Sequence, residues 1–370
     1  MGRMPADRLI PESEGQPAGN VCRPVDQQTV EAEATVPTLE PAVLAVLAGT
    51  PPQLAAAGTS IAVTELIDAA ERYQAAGRAA LASCAADDGW HQVHLEFPDR
   101  RTAEHTVAAA LGPTLRHAEA SGDVASWWYI RKTPYWRLRV RTVRPHRAAL
   151  PLVVTDALDE LTSHGLVTTW STGTYEPETH AFGGPDGMAV AHRFFHADSA
   201  NILDHISPTG SGTDPRPALL GRRELSLLLC ATLLRAAGLD WHEQGDVWHR
   251  VTRMRLLDPD TPREPLRSMA AKVHRLLELD TDRAATPIDP QDPLTSARPW
   301  LRVASDCGRA LGDLASAGSL HRGLRDVLAH HVIFHWNRFG LATTAQAVLA
   351  HTAATTILDA HHDGFPSVGR

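Results

Sequence analysis

The sequence predicts an α+β fold with a mixed sheet in the first half of the main domain, a helix-rich second half and a small helical segment in front. Two segments, WHQVHLEF at 90–97 and WWYIRKTPYWRLRVR at 127–141, alternate apolar and polar residues as half-buried strands do. From Arg222 onward, apolar residues recur at helical spacing. Strands followed by helices are typical of α+β domains.

The segment before the main domain divides into two parts. Residues 1–36 are rich in Pro, Glu, Gln and Gly, which predicts a disordered tail. Residues 37–86 are rich in Ala and Leu and contain an amphipathic pattern from Thr64 to about Ser83, which predicts a small helical segment. Helix-turn-helix modules share this outline, but Arg72 and Arg78 offer few phosphate contacts, so a packing appendage is the favoured interpretation.

The main domain is predicted to span residues 87–360. Its first half alternates strands with helices, and its second half is almost wholly helical apart from one loop rich in Pro and Asp. The elements predicted in chain order are a strand from Trp90, a helix from about Asp99 to Ala120, the two strands of 127–141, a helix at Leu150–His164, a strand at Leu166–Trp170, helices from Arg222 and Trp241, a loop at Thr281–Pro299, and helices at Leu320–Arg338 and Thr343–Asp359.

Arginines follow one side of the second predicted strand in 127–141. Side chains of a strand alternate between faces, so Arg137, Arg139 and Arg141 point one way and the apolar residues between them point the other. Arginine grips carboxylate or phosphate through paired hydrogen bonds. Together with Arg131 and Tyr129 on the preceding strand, this stripe predicts an anionic or peptidic ligand. The alternative is a solvated sheet face with stabilising charges.

A second candidate site lies in TYEPETHAFGGPDGMAVAHRFFHADS, residues 174–199. Its Gly-Gly-Pro turn brings backbone close to a ligand and opens a helix with free N–H groups. Glu178 and His180 precede the turn, which suits general acid–base chemistry in a cleft. The alternative is a structural turn with exposed polar neighbours. Asp198 and Ser199 are predicted to end the helix, with Ser199 as a substrate-binding residue, and a cap of the next helix is the alternative for this pair.

The third candidate site is HHVIFHWNR at 330–338. His331 and His335 are one helical turn apart, as in zinc-binding helices, but no glutamate follows the first histidine and the metalloprotease pattern is absent. His335 is therefore interpreted as a proton donor or acceptor. Asn337 and Arg338 would fix a peptide or a carboxylate, and core packing of this aromatic helix is the alternative.

Composition narrows the classes of function. The 370 residues are 43% hydrophobic and 21% charged with a net charge of -8, which argues against generic nucleic-acid binding. The four cysteines show no metal or redox spacing, and no nucleotide-binding glycine loop is present. We therefore expect chemistry without a metal or cofactor. No apolar run is long enough to span a bilayer and no signal-peptide pattern opens the sequence, so a cytoplasmic location is expected.

Taken together, these stretches resemble the thiopeptide-type bacteriocin biosynthesis family, which is also the C-terminal elimination domain of lantibiotic dehydratases. The resemblance covers Trp90 to about Leu349 and rests on several blocks in the right order. These blocks are WHQVHLEFPD, WWYIRK with WRLRVR, TYEPET with FGG and FHADS, RRELSLLL, and HVIFHWNR.

The resemblance implies an enzyme acting on a ribosomally made precursor peptide, leader and core. Full dehydratases of the family remove glutamate from glutamylated Ser or Thr, whereas stand-alone relatives join two dehydroamino acids in a formal [4+2] cycloaddition that expels the leader peptide. It also implies a dehydratase or other pathway enzymes as partners, with a homodimer left open. By position, Arg131 matches the strand arginine that contacts the glutamate or peptide, Glu178 matches the acidic residue of the Tyr-x-x-Glu block, and His335, Asn337 and Arg338 match the C-terminal helix of the site.

One departure from the family pattern changes the expected reaction. Eliminating enzymes usually carry Arg-Tyr-Gly-Gly, whereas this chain has Ala181-Phe182-Gly183-Gly184. Loss of that arginine removes a clamp for the glutamyl carboxylate, which favours cycloaddition over glutamate elimination. A relative that only binds the precursor peptide is the alternative from a different functional class.

Overall fold

The computed structural model describes residues 36–86, 89–143, 149–207, 220–281 and 294–359. The chain divides into two units, with the boundary after Ala85. In the first unit, Val43, Ile61 and Leu66 are buried in a small core. Short-side-chain and straight-chain residues of high helix propensity make up most of this segment. Its helices are α1 (Val36–Leu47), α2 (Pro52–Ala55) and α3 (Val63–Ala86).

The second unit opens with a four-stranded sheet in the order β2-β3-β1-β4. The α+β class is confirmed, but every strand pair is antiparallel, so the expectation of a mixed sheet is wrong in this detail. A two-residue connection at 133–134 makes β2 and β3 a hairpin, which requires antiparallel pairing. The strands are β1 (Trp90–Glu96), β2 (Val124–Lys132), β3 (Tyr135–Thr142) and β4 (Thr169–Gly173).

Strand β4 begins three residues later than the sequence predicts. Leu166 and Val167 both donate their backbone N–H groups to the carbonyl of Leu161, and Gly165 adopts a positive φ of 68°. These bonds close the end of a preceding helix, so the apolar residues 166–167 complete a turn rather than open a strand. Val167 is buried beneath that turn.

Register separates the arginines of the two hairpin strands. Arg139 pairs with Trp128, and Arg131 pairs with Trp136. Directly paired residues share a face, and neighbours along a strand alternate. Arg131 therefore lies on the face of Trp136. Arg137, Arg139 and Arg141 occupy the opposite face, which we call the arginine face.

Helices cover the sheet and protect its β2 edge. In α7 (Pro185–Ile206), the imidazole Nδ1 of His196 lies 2.8 Å from the carbonyl oxygen of Trp127. In the same helix, Ser199 Oγ accepts a hydrogen bond from the Tyr129 N–H at 3.3 Å. Side chains of α7 thus satisfy backbone groups on an edge that would otherwise attract another strand. The helices are α4 (Arg100–Thr106), a π-helical turn (Val107–Leu111), α5 (Gly112–Ala120), α6 (Leu152–Ser163) and α7 (Pro185–Ile206).

Helices make up the second half, as predicted from the periodicity. Of the predicted loop at 281–299, residues 282–293 lie outside the described part of the chain, and its last two residues already belong to α11. Helices α10 and α11 had no individual prediction. The helices are α8 (Arg222–Ala236), α9 (Trp241–Met254), α10 (Arg263–Glu278), α11 (Arg298–Ser316), α12 (Leu324–Phe339) and α13 (Thr343–Leu358).

Helix α12 lies at the centre of the second unit. It packs against β2, α7, α8 and α9, and Trp336, Arg338 and Phe339 are completely buried on it. Gly340 ends the helix in the left-handed region with φ 74°. Among the described residues, no helix is long and apolar enough to cross a membrane.

Candidate functional site

A buried carboxylate, Asp198 of α7, joins the first turn of α11 to the last turns of α12. It accepts hydrogen bonds from His335 Nδ1 at 3.0 Å, Arg338 Nε at 2.7 Å and Trp300 Nε1 at 2.8 Å. His335 and Arg338 are three residues apart, so both reach the carboxylate from one face of α12. The expectation that Asp198 ends a helix or caps the next one is wrong, because α7 continues to Ile206 around it.

This carboxylate is ionised at neutral pH. Burial alone would raise the pKa of Asp198, but the charges and hydrogen bonds of His335 and Arg338 lower it to about 2. His335 Nε2 and both Nη atoms of Arg338 have no hydrogen-bond partner among the described residues. Buried polar atoms are normally paired, so these groups leave unused hydrogen-bonding capacity in the interior of the second unit.

The arginine face carries a second buried cation. Arg139 is only 3% exposed, and its guanidinium lies 4.2 Å from the ring centroid of Trp128 and 5.0 Å from that of Tyr175. Its Nε and Nη1 meet no acceptor among the described residues. Burial lowers the pKa of Arg139 to about 10, opposed by Tyr175 and by Glu178. The unpaired N–H groups of Arg139 thus lie beside the rings of Trp128 and Tyr175. The exposed Glu178 carboxylate is nearby.

Tyr175 and His192 form a hydrogen-bonded pair beside Arg139 that the sequence analysis missed. The Tyr175 hydroxyl lies 2.8 Å from His192 Nε2. Burial, with Arg141 and Arg139, lowers the pKa of His192 to about 4, so the imidazole is neutral near pH 7. A usable signal was the spacing of His192, His196 and Ser199 along one face of α7.

The Arg131 guanidinium is bound by other groups of the protein. It donates from Nε to the carbonyl oxygen of Arg338 at 2.8 Å and forms an ion pair with Glu104. Arg222 grips both oxygens of the same Glu104 carboxylate, at 2.8 and 2.9 Å. Burial would raise the pKa of Glu104, but Arg222 and Arg131 lower it to about 2. We call Glu104, Arg131 and Arg222 the Glu104 cluster; Glu104 and Arg222 were not singled out from the sequence.

A pocket of about 450 Å³ opens beside the Glu104 cluster, and we call it the hairpin pocket. It lies between the β2–β3 hairpin, the start of α4 and the junction of α12 with α13. Asn337 lines it and accepts a hydrogen bond from Gln346 Nε2 at 3.0 Å. A second cavity, of about 540 Å³ beside β4, contains none of the predicted site residues. The hairpin pocket is lined in part by Arg100, Arg131, Lys132, Tyr135, Trp136 and Asn337.

The predicted site residues therefore occupy three places. The hairpin pocket has Arg131 and Asn337, the arginine face has Arg139 with Glu178 and Arg137, and the interior has His335 with Arg338. Arg137 is half-buried and Glu178 is exposed.

Three further predicted residues have distinct surroundings. Tyr129 is buried, stacks on Trp136 with ring centroids 5.0 Å apart, and has a pKa raised to about 12 by burial. Ser199 Oγ is used by the Tyr129 backbone, and His180 is exposed in its turn. The described residues include no group of three or more candidate metal ligands, and His331 instead packs on Phe182.

The free energy of unfolding is expected to fall in two stages as the pH is lowered. Burial lowers the pKa of His192 and His331 from 6.5 to about 4, so between these values the unfolded chain binds more protons and stability declines. The pKa values of Asp198 and Glu104, about 2 when folded against 3.8 and 4.5 ordinarily, place a second decline below about pH 4.5.

Denaturant titrations between pH 7.5 and 2.5 measure both stages. His331→Leu should flatten part of the upper stage, and Glu104→Gln part of the lower stage. A stability that stays constant from pH 7 to pH 4 would contradict the first assignment.

Comparison with known proteins agrees with the arrangement of sheet and helices. The family described as lantibiotic biosynthesis dehydratase C-term matches residues 90–357. No curated protein matches the chain. The tRNA-dependent lantibiotic dehydratase MibB from Microbispora sp. 107891 is similar in structure, with a TM-score of 0.55 and 20% identity, over 74% of this chain and 28% of that one.

Two further solved structures are similar. TsrL has a TM-score of 0.51 and 17% identity over 72% of this chain and 94% of its own. The pyridine synthase TbtD from thiomuracin biosynthesis has a TM-score of 0.48 and 14% identity over 73% and 98%. At these identities, the likeness to MibB and TsrL shows a shared fold only. The chain spans little more than a quarter of MibB. The family match covers well over half of the chain, which therefore belongs to the lantibiotic biosynthesis dehydratase C-terminal family.

Proposed function

We propose that this protein is a stand-alone tailoring enzyme that acts on a precursor peptide already containing dehydroamino acids. The proposed reaction is a formal [4+2] cycloaddition of two dehydroamino acids with elimination of the leader peptide. Its partners would be the precursor peptide, leader and core, and a dehydratase or other pathway enzymes. A cytoplasmic location, a homodimer and a reaction without a cofactor belong to the same proposal.

The observation that supports this choice of reaction concerns the two arginine positions expected to bind a glutamyl carboxylate. By the family pattern, glutamate elimination would use the arginines expected at positions 131 and 181 to bind the glutamyl carboxylate. Arg131 is bound to Glu104 and to the Arg338 carbonyl, and the other expected arginine position is Ala181. A substrate without the glutamyl group needs neither residue.

The donors that remain suit a neutral amide. A cycloaddition of this type requires one backbone amide to react through its iminol-like form, in which the nitrogen has lost its proton and negative charge develops on the carbonyl oxygen. The Nε and Nη1 groups of Arg139 would bind the oxygen, as preorganised donors do where charge develops. Glu178, which lies close enough to influence Arg139, would accept the proton from nitrogen.

Elimination of the leader peptide breaks a C–N bond: the departing amide nitrogen gains a proton while the neighbouring carbon loses one, so one acid–base group can transfer both. We propose His335 for this step, because Asp198 holds its Nδ1 and leaves Nε2 without a partner. The Asp198 carboxylate behind the imidazole fixes the orientation of the ring. Arg338 shares the carboxylate and would bind the substrate with its two Nη groups. Tyr129, Arg137, His180, Ser199 and Asn337 are proposed as substrate-binding or supporting residues.

Two substrates incubated with the protein test this proposal by mass spectrometry. We expect loss of the leader peptide from the dehydrated cognate precursor and no loss of glutamate from the glutamylated precursor. Glu178→Gln should lower turnover about 100-fold or more, whereas Glu176→Gln, on an exposed neighbouring residue, should leave it unchanged.

The other outcomes identify the rival functions. Glutamate loss from the glutamylated peptide would establish elimination, for which the unpaired donors of Arg139 offer a carboxylate site. No reaction of either peptide, with binding retained, would establish a binding protein.

A further inference from the structure

Two guanidinium groups converge on one carboxylate in the Glu104 cluster. Arg222 binds it with two parallel hydrogen bonds, and Arg131 approaches Oε1 from β2. Paired guanidinium groups around one carboxylate are the geometry by which proteins recognise carboxylate ligands. The three side chains come from α4, β2 and α8, and each is only 15–34% exposed.

The two arginines are held in place without Glu104. Arg131 Nε donates to the carbonyl oxygen of Arg338, and Arg222 Nη1 donates to that of Phe339 at 3.0 Å. These carbonyls belong to the last turn of α12, where helix carbonyls lack partners within the helix. The C-terminal end of α12 therefore holds Arg131 and Arg222 in position, and this support does not depend on the Glu104 carboxylate.

The hairpin pocket reaches this cluster through a glycine. Gly340 lines the pocket, and a Cβ added to it would lie 2.7 Å from Arg131 Cζ and 3.1 Å from Glu104 Oε1. No side chain at this position therefore separates the pocket from the ion pair. Arg100 and Lys132 also line the pocket, so its charge favours an anion.

We propose that Arg131 and Arg222 form a carboxylate-binding site at the wall of the hairpin pocket, that the Glu104 side chain fills it, and that Glu104 thereby excludes substrates carrying a glutamyl carboxylate. Glu104 acts as an internal substitute for such a ligand and determines specificity. This inference deepens the proposed function, since it accounts for the preference against glutamylated peptides, but its test requires neither precursor nor turnover.

The test is Glu104→Ala in the full chain, with propionate as the probe. Truncation to Ala keeps Cβ, so two arginines face the space of the missing CH₂–COO⁻ group, and the adjoining hairpin pocket provides room for the additional methyl group of propionate. Propionate should raise the unfolding midpoint of the variant in a saturable manner and bind it about tenfold or more tighter than it binds the native protein. N-acetylglutamate α-amide should do the same, and the uncharged N-acetylglutamine amide should not.

Two controls make the result decisive. Asp326→Ala removes a carboxylate from Arg250, which keeps Asp246 as a partner and lies outside the hairpin pocket, so propionate should not stabilise it. Sodium chloride at equal ionic strength replaces propionate in a second series.

The proposal can be tested whether the Glu104→Ala variant folds well or poorly. If Glu104→Ala folds, absence of saturable propionate binding overturns the proposal. If it folds poorly, the refolding yield replaces the unfolding midpoint, and a yield that does not depend on propionate overturns it equally. Failure of the precursor to react, by contrast, would bear only on the proposed function.

Discussion

Replacement of Asp198 by Asn is expected to lower the free energy of unfolding by about 3–5 kcal/mol. The completely buried Asp198 carboxylate is bound by Arg338, which is also completely buried. Asn keeps the shape but removes the negative charge, which leaves the Arg338 guanidinium uncompensated in the interior. Its amide can also satisfy only part of the three donors that converge there. Equilibrium denaturation in guanidinium chloride at pH 7 measures the loss.

Asp159→Asn is the matched control. Asp159 accepts a hydrogen bond from Trp170 Nε1 at 2.9 Å, much as Asp198 does from Trp300, but it is exposed. We expect a loss of about 1 kcal/mol or less there. Equal losses for the two variants would show that the Asp198 carboxylate does not compensate the Arg338 charge. The Asp198 variant should also lose part of the stability decline below pH 4, because its carboxylate no longer titrates.

The role of Asp198 shows where prediction from one sequence ends. Its partners lie 102, 137 and 140 residues further along the chain, so no local pattern connects them. The helix boundaries followed from local apolar periodicity and were close for α3, α8 and α13, whereas α12 begins four residues later than predicted. A short polar residue beside an apolar run is equally compatible with a cap and with a buried ion pair, and tertiary packing decides between them.

Strand alternation predicted the arginine face but could not place Arg131 relative to it. That relation depends on hairpin register, and a shift of one residue would reverse the face. The pairing of Arg131 with Trp136 fixes it. The sequence likewise gave no sign that Arg131 binds Glu104, because the carboxylate lies on a helix outside the hairpin, and Arg222 reaches it from 118 residues away. Residue types suited to carboxylate binding were therefore predictable, and their internal occupant was not.

Arg139→Met is expected to stabilise the fold while removing activity. Burying a cation without a hydrogen-bonded anion is costly, and a residue of similar length without charge avoids that cost, so a gain of about 1–3 kcal/mol in unfolding free energy is expected. The two cation–π contacts with Trp128 and Tyr175 reduce this gain. Turnover of the dehydrated precursor should fall at least about 100-fold, since the donors proposed for the amide oxygen are lost.

Arg137→Met tests whether the gain in stability and the loss of turnover are specific to the buried Arg139. Arg137 shares the arginine face but is half-buried, so its replacement should change stability by about 0.5 kcal/mol or less. We expect its turnover to fall less than that of the Arg139 variant. Denaturant titration and mass-spectrometric turnover on the same protein preparations give both quantities.

The opposite signs of the two effects separate a functional Arg139 from a structural one. A residue retained to support Trp128 and Tyr175 would lower stability when replaced, and turnover would decline only as far as folding declines. A residue retained for substrate would leave a more stable protein that binds or converts its peptide poorly. Loss of stability with turnover per folded molecule unchanged would therefore reject Arg139 as the donor to the substrate amide. In that case the cycloaddition would have to rely on the Arg338 donors beside His335.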